Sequence, residues 1–304
     1  MDIIKNITAI LFAVALGWLV WWDISHPDIY FIPAFFVAQI PLFINLILVS
    51  FRSRLLSNNK ISFRAALIGY SMTTISALFL PAKLGDLGKP SYFKAICHFP
   101  LAKGFVIVLE ERIWDIIILA ILAITIVFYI GDSTNNNSLI NTSILLFMAA
   151  IFGIAVLIFL PKYSKRIPFF AKFEKKYAVF SKKSPRKIFS IFMISLLAWI
   201  MSLLILFFAY KYSGLPDLEF DQILLLFVLS TLGLVVTITP GGIGTYEGII
   251  VALLVNNNID WESALAFAIF FRVCCLITPG FISVFALMND GKILITKNKK
   301  TLNE

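Results

Sequence analysis

Four ionisable residues stand close together at the start of an otherwise apolar segment. They are Glu110, Glu111, Arg112 and Asp115. Side chains three or four positions apart are neighbours on a helix, so Glu111, Arg112 and Asp115 lie near one another. Ionisable groups at membrane depth are costly and usually pair or face a cavity. The spacing therefore predicts a charge network, and the alternative is a salt bridge that anchors the helix at the cytoplasmic interface.

Another charged residue lies deep in an apolar run near the end of the chain. Arg272 stands between Phe271 and Val273, about ten residues into that run. An arginine at this depth needs a partner or water. Its planar guanidinium suits bidentate contact with a phosphate. We expect Arg272 to bind a phosphate, and the alternative is a structural ion pair with Glu247 or Glu111.

Two short segments, residues 81–86 and 240–247, interrupt apolar runs with a shared pattern. Each has the form Pro-x-x-x-Gly followed shortly by a carboxylate. In lipid an unpaired backbone polar group costs several kcal/mol, so broken helices survive only where protein or water lines them. Paired breaks in corresponding halves of a chain are a sequence pointer to a transporter's binding site.

The second break suits a backbone turn that approaches a ligand closely. It contains three glycines, Gly241, Gly242 and Gly244. Glycine adopts positive φ without steric cost, and the start of a half-helix favours an anion such as a lipid phosphate. Glu247 would then cap that helix or pair with an arginine. A tight helix–helix crossing built on small residues is the alternative, and Lys83 and Asp86 pose the same choice at the first break.

The composition predicts an all-α polytopic membrane protein. Of 304 residues, 60% are hydrophobic and only 14% are charged, whereas a soluble domain has about 25% charged residues. No stretch between the apolar runs is long enough for a soluble catalytic domain. The three cysteines and two histidines have neither disulfide nor metal-ligand spacing. With no nucleophile–base arrangement visible, we expect no enzymatic activity, no cofactor and no metal.

About six segments are long and apolar enough for full spans, since a span needs about 20 residues. They are residues 7–22, 29–49, 104–130, 139–160, 188–210 and 263–288. Two further runs, 65–80 and 223–255, carry the breaks. The linker 51–64 and the segment 161–187 are basic and are therefore assigned to the cytoplasm, whereas 213–221 has no Lys or Arg and is assigned outside.

These assignments divide the chain into two halves of opposite sense. Residues 1–137 contain a re-entrant hairpin near 65–103 on the cytoplasmic side, and residues 138–290 contain one near 222–255 on the external side. Residues 291–304 form a basic cytoplasmic tail. The pattern predicts an inverted-topology repeat of about eight membrane segments, with both termini cytoplasmic. The alternative for 223–255 is two full crossings.

Several of these residues also resemble a known family. Pro81-x-x-x-Gly85-Asp86, Glu111-Arg112-x-x-Asp115, Pro240-Gly241-Gly242-x-Gly244-x-x-Glu247 and Arg272 resemble the lysylphosphatidylglycerol synthase transmembrane-region family of flippase-like proteins. The resemblance implies a lipid-translocating membrane domain with re-entrant helices and a central cavity. Larger members carry synthase activity in a separate soluble domain. Because no stretch between the apolar runs of this chain is long enough for such a domain, we expect no lysyl transfer here. Lys89 stands where relatives often carry Arg.

These features together predict a flippase or transporter in a prokaryotic plasma membrane that moves a phospholipid or a polyprenyl-linked lipid. Lys83, Lys89, Arg112 and Arg272 would contact its anionic head group, with Gly241, Gly242, Gly244 and Glu247 at the second break. Asp86, Glu111 and Asp115 would balance or gate the site. One alternative is a non-transporting scaffold subunit for a lipid-modifying or glycan-assembly enzyme, docked through residues 161–187. Another is an integral-membrane transferase. The sequence does not identify a coupling ion or the oligomeric state. No nucleic-acid partner is expected.

Overall fold

The computed structural model describes residues 30–79, 84–130, 184–236 and 242–301, together with positions 17, 148 and 239. Over these residues the chain is helical and contains no strand. Eight α-helices are present in the described ranges: α1 (Phe31–Leu56), α2 (Phe63–Phe79), α3 (Gly88–Cys97), α4 (Leu101–Ile130), α5 (Pro185–Lys211), α6 (Phe220–Val236), α7 (Thr245–Asn256) and α8 (Trp261–Thr301). Apart from positions 17 and 148, the predicted spans 7–22 and 139–160 lie outside the described residues, as do most of the basic segment 161–187 and Pro81, Lys83, Pro240 and Gly241.

Three of the described helices are long and apolar enough to cross a membrane. They are α1 with 26 residues, α5 with 27 residues, and the first 30 residues of α8, Trp261–Asp290. At about 1.5 Å per residue each exceeds the roughly 30 Å hydrocarbon core of a bilayer. The predicted spans 29–49, 188–210 and 263–288 overlap these helices, of which α1 continues to Leu56, and 104–130 lies within α4. The predicted all-α membrane fold is confirmed.

The second break separates two short helices. Helices α6 and α7 have 17 and 12 residues, about 25 Å and 18 Å long. Both are shorter than the hydrocarbon core. Their close packing is evident at Gly233 of α6, where a Cβ would lie 2.3 Å from Cδ1 of Ile249 on α7. The side from which this pair enters the membrane stays a prediction.

The first break has a similar arrangement with a different turn. Helix α2 is followed by a short 3₁₀ turn, Leu84–Leu87, and then by the ten-residue α3. Gly85 packs directly on α2, where a Cβ would lie 2.5 Å from the Cα of Ala77. The hydroxyl of Ser76 donates to the carbonyl of Gly85 over 2.9 Å. The turn therefore lies against the helix that precedes it.

The chain forms two compact units, each made of separated segments. The first unit comprises the described residues of Met1–Leu46, Leu67–Gly88 and Ile200–Glu304, and the second comprises those of Ile47–Ala66 and Lys89–Trp199. The predicted repeats, residues 1–137 and 138–290, stay a prediction about the sequence halves.

Buried aromatic and polar contacts hold the first unit together. Phe31 of α1 stacks on Phe270 of α8 with ring centroids 4.3 Å apart. Gln39 of α1 donates to the Cys274 carbonyl over 3.2 Å and accepts from the Thr278 hydroxyl over 2.6 Å. A hydrogen bond between membrane helices contributes about 0.6–2 kcal/mol. These contacts fix α8, which carries Arg272, against α1.

Candidate functional site

In the first unit an ion pair joins α7 to α8 at the second helix break. The Glu247 carboxylate contacts Nε of Arg272, and the two side chains are 14% and 16% exposed. Arg272 also directs Nη2 to the carbonyl of Gly242 at 3.4 Å. Its guanidinium carbon lies 5.2 Å from the centre of the Tyr246 ring. The arginine is therefore held by a carboxylate, a carbonyl and an aromatic face.

The local sequence explains why the carboxylate lies at this point. Gly242 and Gly244 adopt φ of 70° and 87°, values that glycine tolerates best. Helix α7 begins immediately afterwards, at Thr245. The Glu247 carboxylate accepts the backbone N–H of Gly244 over 2.8 Å. A negative charge in the first turn is favoured by the helix dipole and by the free N–H groups there.

The donors around Glu247 are of the types that bind phosphate in other proteins. A guanidinium and a backbone N–H at a helix start both prefer a bound oxyanion. In this structure the Glu247 carboxylate forms an ion pair with the guanidinium and accepts from the Gly244 N–H. A phosphate that reached Arg272 would compete with Glu247 for the guanidinium.

The second unit contains a buried pair between α3 and α4. Nζ of Lys89 lies 2.7 Å from each carboxylate oxygen of Glu111. Ser53 of α1 completes the group, since Lys89 donates to its Oγ over 2.7 Å and Oγ lies 2.6 Å from Glu111 Oε1. The Lys89 and Glu111 side chains are only 2% and 8% exposed.

A second pair lies one helical turn further along α4. Arg52 of α1 reaches both oxygens of Asp115, at 2.7 Å and 3.5 Å, and Ser195 Oγ of α5 lies 3.3 Å from its Nη1. Nε1 of Trp199, also on α5, donates to Asp115 over 3.2 Å. Arg112 approaches the same carboxylate at 3.4 Å, with 44% of its side chain exposed. Asp115 thus connects three helices of the second unit.

The structure brings the predicted site residues together in two sets. Lys89, Glu111, Arg112 and Asp115 meet in the second unit. Arg272, Glu247, Gly242 and Gly244 meet in the first unit. Asp86 lies half-buried in the 3₁₀ turn, and Lys83 and Gly241 lie outside the described residues. The Arg272–Glu247 pair is one of the two outcomes expected for Arg272, and phosphate binding there stays a prediction.

Sequence reasoning missed Arg52 and its partners. Arg52 was grouped with the basic linker 51–64, but α1 continues to Leu56 and buries Arg52 to 4% exposure. Ser53 and Trp199, which hydrogen-bond to the two carboxylates, were also not identified. The available signal was the absence of Gly or Pro between residues 42 and 56, which allows the helix to continue past the last apolar residue.

Comparison with protein families identifies the family of this chain. A family model described as the lysylphosphatidylglycerol synthase TM region matches residues 4–283. No curated protein matches the chain. The matched range covers nearly the whole chain and includes every residue of both polar sets.

Proposed function

We propose that this chain, which belongs to the lysylphosphatidylglycerol synthase transmembrane-region family, is a flippase for a phosphate-bearing lipid. The family is a membrane domain with no catalytic domain identified. We propose a transport role without enzymatic chemistry, in a prokaryotic plasma membrane. The substrate class is a lipid with an anionic phosphate head group, either a phospholipid or a polyprenyl phosphate.

The observation that carries the proposal is the Arg272–Glu247 pair at the start of α7. A guanidinium inside an apolar helix is costly without a counter-charge, and Glu247 provides one. A phosphodiester also carries a single negative charge, so Arg272 can pair with it in place of the Glu247 carboxylate. Glu247 can keep its hydrogen bond to Gly244 meanwhile, because that bond uses the other oxygen, Oε2.

Reversible exchange is what a transporter needs at a head-group site. A permanently free arginine would bind a phosphate too tightly to release it, whereas a competing carboxylate lowers the net gain on binding. The Tyr246 ring under the guanidinium keeps Arg272 in place during exchange through a cation–π contact. The resting pair also keeps Arg272 neutralised when no lipid is bound.

The test uses purified protein in liposomes with fluorescent phosphatidylglycerol, and dithionite reports the outer-leaflet fraction. Arg272→Ala removes charge-assisted hydrogen bonds worth about 1.5–3 kcal/mol each, so the initial rate should fall about 10- to 100-fold. Arg186→Ala is the matched control, since Arg186 is exposed at the start of α5. Equal rates for the wild type and Arg272→Ala would refute the site.

A second variant separates head-group binding from protein stability. Glu247→Gln keeps an oxygen for the Gly244 N–H but removes the charge that competes for Arg272. We expect tighter binding of phosphatidylglycerol and slower release, measured by lipid retention during purification. A fluorescent glucosylceramide, which lacks phosphate, should show no such change, and a polyprenyl phosphate distinguishes the two lipid sources. Weaker phosphatidylglycerol binding by Glu247→Gln would contradict the exchange model.

The proposed topology has its own test. Single cysteines within 213–221 should react with an impermeant thiol reagent from outside the cell, and those within 161–187 only from inside. The reverse pattern would overturn the orientation, with both termini then outside.

A further inference from the structure

In the first unit, the side of α8 that contacts α1 lies opposite the side that carries Arg272. Cys274 and Thr278 both contact Gln39 of α1. These two positions are four apart and lie on one face of α8, whereas Arg272, two positions before Cys274, lies on the opposite face. Its guanidinium is directed to Glu247 of α7. A rotation of α8 about its axis would therefore move Arg272 away from Glu247 and break the contacts with Gln39 at the same time.

Gln39 makes two directional contacts with α8. Its Nε2 donates to the Cys274 carbonyl over 3.2 Å, and its Oε1 accepts from the Thr278 hydroxyl over 2.6 Å. The Gln39 and Thr278 side chains are buried. Lipid tails are as apolar as the helix surfaces, so apolar packing alone gives one rotation of a membrane helix little advantage over another. Hydrogen bonds require alignment, and this pair therefore restrains both the rotation and the sliding of α8.

The backbone of α8 is weakened directly after these contacts. Pro279 has no N–H to donate to the Cys275 carbonyl, and Gly280 follows it. Proline and glycine are the least favourable residues in a helix interior. Packing does not require the glycine, because a Cβ at Gly280 would lie 3.6 Å from Cδ1 of Ile75, an ordinary contact distance. The Gln39 amide therefore holds α8 immediately before a point at which the helix backbone is weak.

We propose that Gln39 is a positioning residue for Arg272, which sets the rotation of α8 so that the guanidinium meets the lipid phosphate. The inference rests on the proposed flippase function and names a residue on which its head-group site depends. Gln39 acts through α8 and not through the lipid itself. A hydrogen bond between membrane helices shifts an equilibrium about threefold, so loss of both bonds should favour rotated states of α8 about tenfold.

The experiment titrates fluorescent phosphatidylglycerol into the purified protein in detergent micelles, with fluorescent glucosylceramide as the probe without phosphate. Gln39→Leu has a similar size but makes neither hydrogen bond, so the affinity for phosphatidylglycerol relative to glucosylceramide should fall about tenfold. Thr278→Val removes one of the two bonds and should lower it about threefold. Asn45→Leu is the matched control and should keep the wild-type ratio, because Asn45 is a buried amide of α1 that donates to Ser202 of α5 over 3.0 Å.

A second background separates positioning from a purely structural role. In Arg272→Ala there is no guanidinium to position, so Gln39→Leu should cause no further loss of phosphatidylglycerol affinity. A structural effect would lower the affinity equally with and without Arg272, and that result would overturn the positioning role. An unchanged lipid preference in Thr278→Val would overturn it too, also where Gln39→Leu does not fold. Both results leave the flippase function intact.

A measurement without lipid keeps the two proposals apart. If Arg272→Ala binds and moves phosphatidylglycerol like the wild type, the head-group site fails, and nitrogen NMR of labelled arginine then tests the positioning alone. The Nε resonance that disappears in Arg272→Ala should shift in Thr278→Val and stay in place in Asn45→Leu. A resonance that Thr278→Val leaves in place would refute the positioning role.

Discussion

Breaking the Lys89–Glu111 pair gives the sharpest test of the buried charge network. Lys89→Met removes the ammonium but keeps a side chain of similar length, so the main change is electrostatic. Glu111 then remains buried at 8% exposure, with Ser53 at 2.6 Å as its remaining short contact. An uncompensated buried charge is strongly destabilising, and we expect a loss of unfolding free energy.

The magnitude follows from the geometry. At 2.7 Å and an effective dielectric constant of about 20, the attraction between the two charges is roughly 6 kcal/mol. Desolvation offsets part of this, and removal of one partner from a buried pair typically costs about 3–5 kcal/mol. Arg52 and Arg112 act electrostatically on Lys89, so we expect them to offset part of the charge left on its partner Glu111. We therefore expect about 3 kcal/mol for Lys89→Met.

A double-mutant cycle separates the pair from its surroundings. Replacing a whole buried pair with apolar residues is often neutral or stabilising, so Lys89→Met combined with Glu111→Met should be more stable than either single variant. Unfolding free energies come from titration with sodium dodecyl sulfate in mixed micelles, followed by circular dichroism. Lys94→Met, exposed on the same helix, should change stability by less than about 0.5 kcal/mol. Additive effects of Lys89→Met and Glu111→Met would refute the reasoning.

Three further predictions concern the elements around the two sites. Gly85→Ala should destabilise by about 3 kcal/mol or more, because its Cβ would lie 2.5 Å from backbone atoms of α2; Gly248→Ala, with open space around it, should be neutral or slightly stabilising in the same titration. Trp199→Phe removes the N–H donated to Asp115 and should lower the unfolding free energy by about 1.5–3 kcal/mol, whereas an unchanged stability would contradict that contact. Asp260→Ala should cost about 1 kcal/mol, because the Ser263 backbone N–H donates to Asp260 and lowers its pKa. That stabilisation is present above the unfolded pKa of about 3.9 and is lost as pH falls through the folded pKa, so wild-type and variant stabilities should converge in acid.

The helix breaks are the features that local sequence predicts best. Proline and glycine act on the backbone of their own segment, so their effect does not depend on distant contacts. The pattern at 240–247 predicts a helix start, and α7 begins at Thr245 with Glu247 in its first turn. The N–H of Gly244 and the carboxylate of Glu247 are three residues apart, which is within the reach of sequence reasoning.

The partners of the buried charges depend on tertiary packing. Arg52 and Asp115 are 63 residues apart, and Lys89 and Glu111 are 22 apart. Charge counting assigns Arg52 to a cytoplasmic linker, because a basic residue beyond an apolar run normally marks the membrane surface. Only the packing of α1 against α4 and α5 shows that the arginine is buried. The orientation of Lys89 toward Glu111 is likewise decided by how the short α3 lies on α4.

The Arg272–Glu247 and Lys89–Glu111 ion pairs differ in how accessible they are. Arg272 and Glu247 are 16% and 14% exposed at the start of a helix, so a group as large as a phosphate can approach there. Lys89 and Glu111 are 2% and 8% exposed, which gives a phosphate much less access. Under the proposed function, we therefore expect a lipid phosphate to replace Glu247 at Arg272 and to leave the Lys89–Glu111 pair intact.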